Sequence, residues 1–148
     1  MTRAVAVLLV AALCITAGSS LQAQSSRTFK TRLSPVPVAT YNPSIVGAGS
    51  VTATLIGSKL TIAGTFEGLA SPATTARIHK STKTGVRGDA ILNLTVTNAT
   101  SGSISGTFDL TAAQVQELAA GRYYVQLHSE KAPDGNLWGW LLAQENRR

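Results

Sequence analysis

Apolar and polar residues alternate along most of the chain after residue 50, with the period of two that a half-buried β-strand requires. Val51, Ala53 and Leu55 fall on one side of such a strand, and Thr52 and Thr54 fall on the other. Further segments of this kind occur at residues 60–66, 90–97, 104–110, 122–128 and 137–143. Short strands at this spacing predict an all-β fold, an antiparallel Greek-key β-sandwich of about seven strands.

One short segment has helical periodicity instead. Thr111 and Gln114 have the spacing of a capping box, in which each side chain satisfies a backbone N–H of the first helical turn. Apolar residues at helical spacing follow, and Gly121 lies where a helix would end. The pattern predicts one helix near residues 112–120, covering an open end or edge of the sandwich.

The amino-terminal residues have the composition of a secretory signal peptide. Arg3 precedes an apolar run from residue 4 to about residue 17, and small residues lead to Ala23. The run is shorter than the ~20 residues that a membrane-spanning helix needs. We expect residues 1–23 to be cleaved, leaving a secreted, periplasmic or extracellular chain without a transmembrane segment. The alternative is an uncleaved membrane anchor.

The next residues, 24–49, are rich in Ser, Thr and Pro. Pro35, Pro37 and Pro43 would interrupt a helix or a central strand. We therefore predict an extended leader with at most one edge strand around residues 35–41, followed by the folded domain at residues 50–144.

Composition narrows the class of protein further. The only cysteine, Cys14, lies in the predicted signal peptide, so the mature domain has no disulfide and depends on burial of a sizeable core. The formal net charge is +6, and removal of Arg3 lowers it by one. A moderate positive charge permits weak attraction to anionic surfaces. Because no aromatic-rich basic motif is present, we expect no nucleic-acid partner.

Seven short motifs follow one another in a fixed order across residues 51–142. They are Leu60–Leu69, Ser71–Ala73, Ala76–His79, Gly106–Phe108, Leu110–Val115, Tyr124–Ser129 and Pro133–Leu141. In this order the chain resembles the CHRD domain family of chordin. The resemblance implies an extracellular β-sandwich module, which in animals belongs to a protein that restrains growth-factor signalling. A stand-alone copy behind a signal peptide is typical of the bacterial members.

Three departures from the family pattern affect any site that relatives use. Many relatives have a second histidine where this chain has Arg77, two residues before His79. The family motif Glu-Ile-Arg-Gly is replaced by residues 136–139, Asn-Leu-Trp-Gly, which removes a carboxylate and a guanidinium. Trp140 adds a second indole to this strand.

The two halves of the chain contain a weak internal sequence repeat. Ile62–Glu67 resembles Ile104–Asp109, and downstream of each copy an aliphatic residue is followed by a histidine, His79 or His128. Related positions can meet near a shared axis or lie at opposite edges. If the two rings converge, they can bind copper or zinc. The alternative is that each histidine hydrogen-bonds a loop backbone at a strand end.

Two further groups are candidates for an interaction surface. Arg77, Lys80, Lys83 and Arg87 lie within one loop region, where they could contact an anionic glycan or surface, although a solvated loop is the simpler interpretation. Trp138 and Trp140 share one face of the last long strand. They belong either to an interface or to the core, against Phe66, Phe108 and Tyr123.

No catalytic motif accompanies these groups. The sequence contains no Gly-x-Ser-x-Gly elbow and no glycine-rich phosphate loop after a strand, and two histidines are too few for a copper/zinc superoxide dismutase-like centre. We predict an exported, non-enzymatic binding or scaffold domain, whose partner is a protein or an anionic glycan. The second hypothesis is an extracytoplasmic copper or zinc protein that uses His79 and His128.

Overall fold

The computed structural model describes residues 24–144, so the predicted signal peptide lies outside the described residues. In chain order the elements are β1 Ser26–Pro35, β2 Ala48–Ile56, β3 Lys59–Glu67, β4 Ala73–Lys80, β5 Asp89–Val96, β6 Gly102–Asp109, α1 Ala112–Ala119, β7 Tyr123–Ser129, β8 Ala132–Trp140 and β9 Leu142–Ala143. Within this range no helix is both long and apolar enough to cross a membrane.

Eight strands form one closed antiparallel sheet in the order β2-β3-β6-β5-β4-β7-β8-β1, and β1 returns to pair with β2. The short β9 adds to β1. The strands β4, β5 and β6 lie between β3 and β7, which gives the predicted Greek-key order. The all-β class, the antiparallel pairing and the single helix are confirmed.

The predicted sandwich is wrong, because the sheet closes into a barrel. Closure depends on two strands that change partners along their length. β1 pairs with β2 over Ser26–Leu33 and with β8 at Ser34–Pro35. β5 pairs with β4 over most of its length and with β6 at Thr95–Val96. A barrel buries one face of each strand, as a sandwich does, so alternation alone does not distinguish them.

The predicted boundary of the folded domain at residue 50 is also corrected. Residues 26–35, which we expected in the extended leader, form the strand that closes the barrel. Phe29 and Leu33 on this strand are 0 % and 2 % exposed. Pro35 is the last residue of β1, where the missing N–H of proline removes no essential hydrogen bond of the sheet. Residues 36–41, where we predicted an edge strand, form a loop. The proline-rich composition therefore describes only the loop after β1.

The helix α1 begins and ends as the sequence predicts. Thr111 Oγ1 accepts the Gln114 backbone N–H at 3.2 Å, and Gln114 Oε1 accepts the Thr111 N–H at 2.9 Å. Leu118 is fully buried in the core, and Val115 packs against it. Gly121 follows the helix at a φ of +71°, a backbone conformation that glycine adopts without strain.

A paired-histidine site on the outer face of the sheet

The candidate site lies on β7 and the strands beside it. Tyr123, Val125 and Leu127 of β7 belong to the core, which leaves Tyr124 and His128 on the opposite side of the strand. Tyr124 is nevertheless only 1 % exposed. Gly88 of the β4–β5 loop contacts Tyr124, and Pro133 at the start of β8 contacts His128, so the site is enclosed although it lies outside the barrel.

The pairing of β4 with β7 brings the two histidines together. Arg77 of β4 is the register partner of Gln126 of β7, and each histidine lies two residues beyond its member of this pair. Register partners in an antiparallel ladder are related by a local two-fold axis. His79 and His128 therefore approach from opposite ends of the two strands, with ring centroids 6.3 Å apart and ring planes inclined by 28°.

Each imidazole is oriented by a backbone carbonyl further along the chain, that of Gly88 in the β4–β5 loop or that of Pro133 at the start of β8. His79 Nδ1 lies 2.9 Å from the Gly88 oxygen, and His128 Nδ1 lies 2.8 Å from the Pro133 oxygen. A carbonyl oxygen only accepts, so Nδ1 carries the hydrogen in both rings. In the neutral rings Nε2 is then an unprotonated acceptor with a free lone pair.

The two Nε2 atoms are buried and have no hydrogen-bond partner in the structure. An unsatisfied buried acceptor costs about 1–3 kcal/mol, and such groups are rare in folded proteins. This site contains two of them on rings that contact each other. A hydrogen-bond donor or a metal ion satisfies an acceptor of this kind.

The environment keeps His79 neutral. Burial lowers the pKa of His79 below its usual 6.5, and the nearby charges of His128 and Arg77 lower it further. The hydrogen bond to Gly88 and the charge of Asp89 oppose these effects without reversing them. The free lone pair on Nε2 is therefore present at neutral pH.

Tyr124 is the centre of an aromatic cluster beside the histidines. Its ring stacks on His79 at 4.9 Å and contacts Trp138 edge-on at 5.7 Å and Trp140 at 4.6 Å. Its hydroxyl accepts the Gly88 N–H and donates to the Gly88 oxygen. Tyr124 therefore fixes both the ring of His79 and the loop that orients it.

A scan against protein-family models matches the CHRD domain over residues 29–141. The chain belongs to the CHRD domain family. The match begins within β1 and ends at Leu141, so the CHRD domain includes the strand that closes the barrel. Searches of the curated proteins and of the solved structures give no significant match.

The four basic residues near His79 do not form one open patch in this CHRD domain. Lys80 pairs with Glu117 of α1. Arg87 donates to the Pro37 oxygen at 3.2 Å and lies 5.7 Å from the centre of the Trp138 ring. Arg77 is half-buried beside the histidines, and Lys83 is exposed. Two of the four therefore stabilise contacts within the domain.

The tryptophans lie together on the outer face of β8, as their spacing predicts. They are half-buried and meet at 6.2 Å in an edge-to-face arrangement. Their aromatic partner is Tyr124, and neither indole belongs to the barrel core that contains Tyr123. Tyr124 was not among the site residues predicted from the sequence. The period of two places Tyr124 on the same face as His128, and this signal could have identified it.

Several buried polar residues of this CHRD domain were also not predicted from the sequence. Ser129 Oγ donates to Asn136 Oδ1 at 2.9 Å, and Asn136 Nδ2 donates to the Val46 oxygen at 2.8 Å. Gln126 Nε2 donates to the Asp134 oxygen at 2.9 Å. Two of these bonds join β7 to β8, and the third ties the β1–β2 loop to β8 at Val46.

The metal-ligand set is limited to the two imidazoles. Across residues 24–144, no three His, Cys, Asp or Glu side chains are grouped closely enough to hold a metal ion. Structural zinc generally has four protein ligands and catalytic zinc has three. A full zinc site of either kind is therefore not assembled in the described part of the domain.

Proposed function

We propose that this chain is an exported CHRD binding module that does not catalyse a reaction, and that its ligand contacts the loop between β1 and β2. The exposure of Tyr41 carries this proposal, since 86 % of this aromatic residue is accessible to solvent. Val38 and Val46 on the same loop are also exposed. Exposed aromatic and aliphatic residues that cluster in one loop are characteristic of interaction surfaces.

The loop is held in place before any ligand arrives. The Val36 N–H donates to the Asn136 oxygen at 3.0 Å, and Asn136 Nδ2 holds the other end of the loop at Val46. A groove of about 150 Å³ lies beside the loop, and its walls include Ile45, Arg87 and Pro133. A fixed loop loses little conformational entropy on binding, which favours affinity.

The charges favour a protein partner over an anionic glycan. Lys80 is paired with Glu117, and Arg87 is hydrogen-bonded to Pro37. A polyanion would have to compete with both of these contacts. A protein surface can instead pack on Tyr41 and Val38 without breaking any of them.

Site-specific crosslinking tests the binding surface. A photoreactive amino acid at position 41 should capture a defined partner from the compartment to which the chain is exported. The same group at Thr61, which is exposed on β3, is the matched control. Equal capture at both positions, or none at position 41, would contradict the assignment of this surface.

Export is part of the proposal and has its own test. The basic start, the apolar run and the small residues before Ala23 support a cleaved signal peptide. Amino-terminal sequencing of the exported protein should begin at Gln24. A cell-associated product that retains Met1 would support the uncleaved anchor instead.

The proposal that the domain is not an enzyme rests on the roles of its histidines. Both Nδ1 atoms are occupied by backbone carbonyls, and Tyr124 shields His79. Reproducible turnover by the purified protein that is abolished by a substitution of His79 or His128 would overturn this part of the proposal.

A second candidate function is metal binding outside the cytoplasm, with copper or zinc held by His79 and His128. The observation that favours it is the pair of buried, unpartnered Nε2 atoms. Titration of the tag-free protein with each metal should show one ion bound per chain. Binding that persists without either imidazole would contradict this function.

A further inference from the structure

The two imidazoles are already arranged as metal ligands usually are. In most metal sites the second ring nitrogen of a ligating histidine donates to a backbone carbonyl or a carboxylate, which fixes the tautomer and the ring orientation. His79 and His128 make this bond to Gly88 and Pro133, through Nδ1 in both cases. Both Nε2 lone pairs are therefore available without a change of tautomer or of loop structure.

The spacing of the rings suits one shared ion. Metal–imidazole bonds of about 2 Å place two ligating nitrogens at most about 4 Å apart. Because each nitrogen lies on the edge of its ring, the centroids of two rings on opposite sides of an ion are farther apart than this. The observed 6.3 Å between the centroids of His79 and His128 agrees with such an arrangement.

The small ligand set disfavours divalent ions. Among the described residues no third His, Cys, Asp or Glu side chain is grouped with the two neutral imidazoles. Arg77, two residues before His79, adds a positive charge beside them. A monovalent cation is repelled less.

The number of ligands that each metal ion requires indicates which ion two imidazoles can hold. Zn(II) is almost always four-coordinate, and Cu(II) prefers a tetragonal arrangement of nitrogen and oxygen ligands. The burial of both Nε2 atoms leaves little access for the waters that would complete either shell. Cu(I) is a d¹⁰ ion that is stable with two imidazole ligands in a linear arrangement.

We propose that His79 and His128 form a two-coordinate site for the cuprous ion, Cu(I), with their Nε2 atoms on opposite sides of the metal. This inference rests on the second candidate function, metal binding by the two histidines, and it specifies the oxidation state and the geometry. Tyr124 supports the site, since its ring stacks on His79 and its hydroxyl fixes the Gly88 loop. No electron transfer is part of the proposal.

The test is a competition titration without oxygen. Tag-free protein that lacks Cys14, through loss of the signal peptide or a C14S substitution, is titrated with Cu(I) against bicinchoninate, and separately with Zn(II). We expect one Cu(I) per chain, and X-ray absorption should show two nitrogen neighbours at about 2 Å. Zn(II), which almost always takes four ligands, should bind more weakly than Cu(I) if the two-ligand geometry selects the ion.

The variants His79→Asn and His128→Asn isolate the Nε2 atoms. An asparagine amide can still donate to Gly88 or Pro133, but it provides no Nε2 lone pair. Each variant should lower the Cu(I) affinity by at least about 100-fold, more than the loss of an outer hydrogen bond costs. The control variant Lys83→Ala removes an exposed charge of the neighbouring loop and should bind Cu(I) as the unsubstituted protein does.

A measurement on the unsubstituted protein tests the proposal even if the histidine variants fail to fold. In ¹⁵N spectra the two Nε2 resonances should shift when Cu(I) is added, while both Nδ1 atoms stay protonated. Unshifted Nε2 resonances would overturn the proposal, whatever the variants show.

The remaining outcomes separate the two proposals. Histidine-dependent binding of Zn(II) that is as tight as that of Cu(I) would refute the cuprous site and leave the metal-binding function intact. Absence of any metal binding that depends on His79 or His128 would refute both. The two Nε2 atoms would then share a buried water molecule, whose two hydrogens can satisfy them.

Discussion

Arg77 and Gln126 are register partners at the centre of the β4–β7 ladder, and the site is arranged around them. His79 and His128 lie at equivalent positions on either side of this pair. The sequence contains a matching internal repeat, because similar strand segments precede the two histidines. β3 and β6, which contain the repeated segments, are also antiparallel neighbours, with Ile62 opposite Gly106 and Gly64 opposite Ile104.

The first prediction concerns β1 as part of the barrel. Phe29→Ala should destabilise the protein by about 3–5 kcal/mol, because the ring is fully buried and its removal leaves a cavity. Denaturant unfolding measures the change. Tyr41→Ala, on the exposed loop, is the control and should change stability by less than about 0.5 kcal/mol. Equal, small effects of both substitutions would return residues 26–35 to an unstructured leader.

The second prediction concerns the start of α1. Thr111→Ala removes the side-chain acceptor for the Gln114 N–H and should cost about 1 kcal/mol. Thermal unfolding of Gln116→Ala, at an exposed position of the same helix, serves as the comparison and should differ little from the unsubstituted protein. A Thr111→Ala protein as stable as this control would show that the capping box contributes nothing.

The third prediction concerns acid stability. Hydrogen bonds from Lys80 and Tyr123 lower the pKa of Glu117 below its usual 4.5. The unfolded chain therefore takes up this proton at a higher pH than the folded chain does. The stabilisation is complete above about pH 4.5 and is lost as the pH falls through the folded-state pKa.

Glu117→Gln measures this contribution. Its melting temperature should be lower than that of the unsubstituted protein near pH 7, and the difference should shrink as the pH falls below 4.5. The effect should be modest, since the partner Lys80 is about half-exposed and solvent screens the pair. A difference that stays constant down to pH 3 would mean that the charge of Glu117 does not stabilise the fold.

The fourth prediction concerns the loop that orients His79. A Cβ atom at Gly88 would overlap the Lys80 carbonyl, so Gly88→Ala must displace the backbone. The Gly88 oxygen accepts from both His79 and Tyr124, and its displacement should loosen His79 while leaving His128 unaffected. In ¹⁵N spectra only the His79 Nδ1–H signal should broaden or disappear.

Gly85→Ala provides the comparison for Gly88→Ala. A Cβ atom at Gly85 meets nothing within 4 Å, although its φ of +88° strains an alanine there. This variant should lose some stability and keep both histidine signals. Loss of the His79 signal in both variants would show that general loosening of the loop, and not the Gly88 carbonyl, controls the imidazole.

The sequence by itself determined the local features of the protein. Alternation in residues 51–55 and 60–66 predicted strands that the structure contains, because the two faces of a strand differ in burial wherever the strand lies. The capping box of Thr111 and Gln114 and the stop at Gly121 predicted α1, since these bonds form within a few residues of the chain. The ordered motifs from Leu60 onwards were sufficient to indicate the CHRD family.

Only the tertiary structure decided how the strands close and which side chains meet. The alternation in β1 and β5 does not show that each strand changes partner, and this change turns a sandwich into a barrel. The sequence left open whether His79 and His128 converge, since their approach depends on the register of two strands that are distant in the chain. The burial of their Nε2 atoms likewise depends on how distant segments pack around the two rings. Register and loop packing are set by the summed contacts of the whole domain, and no short segment contains that information.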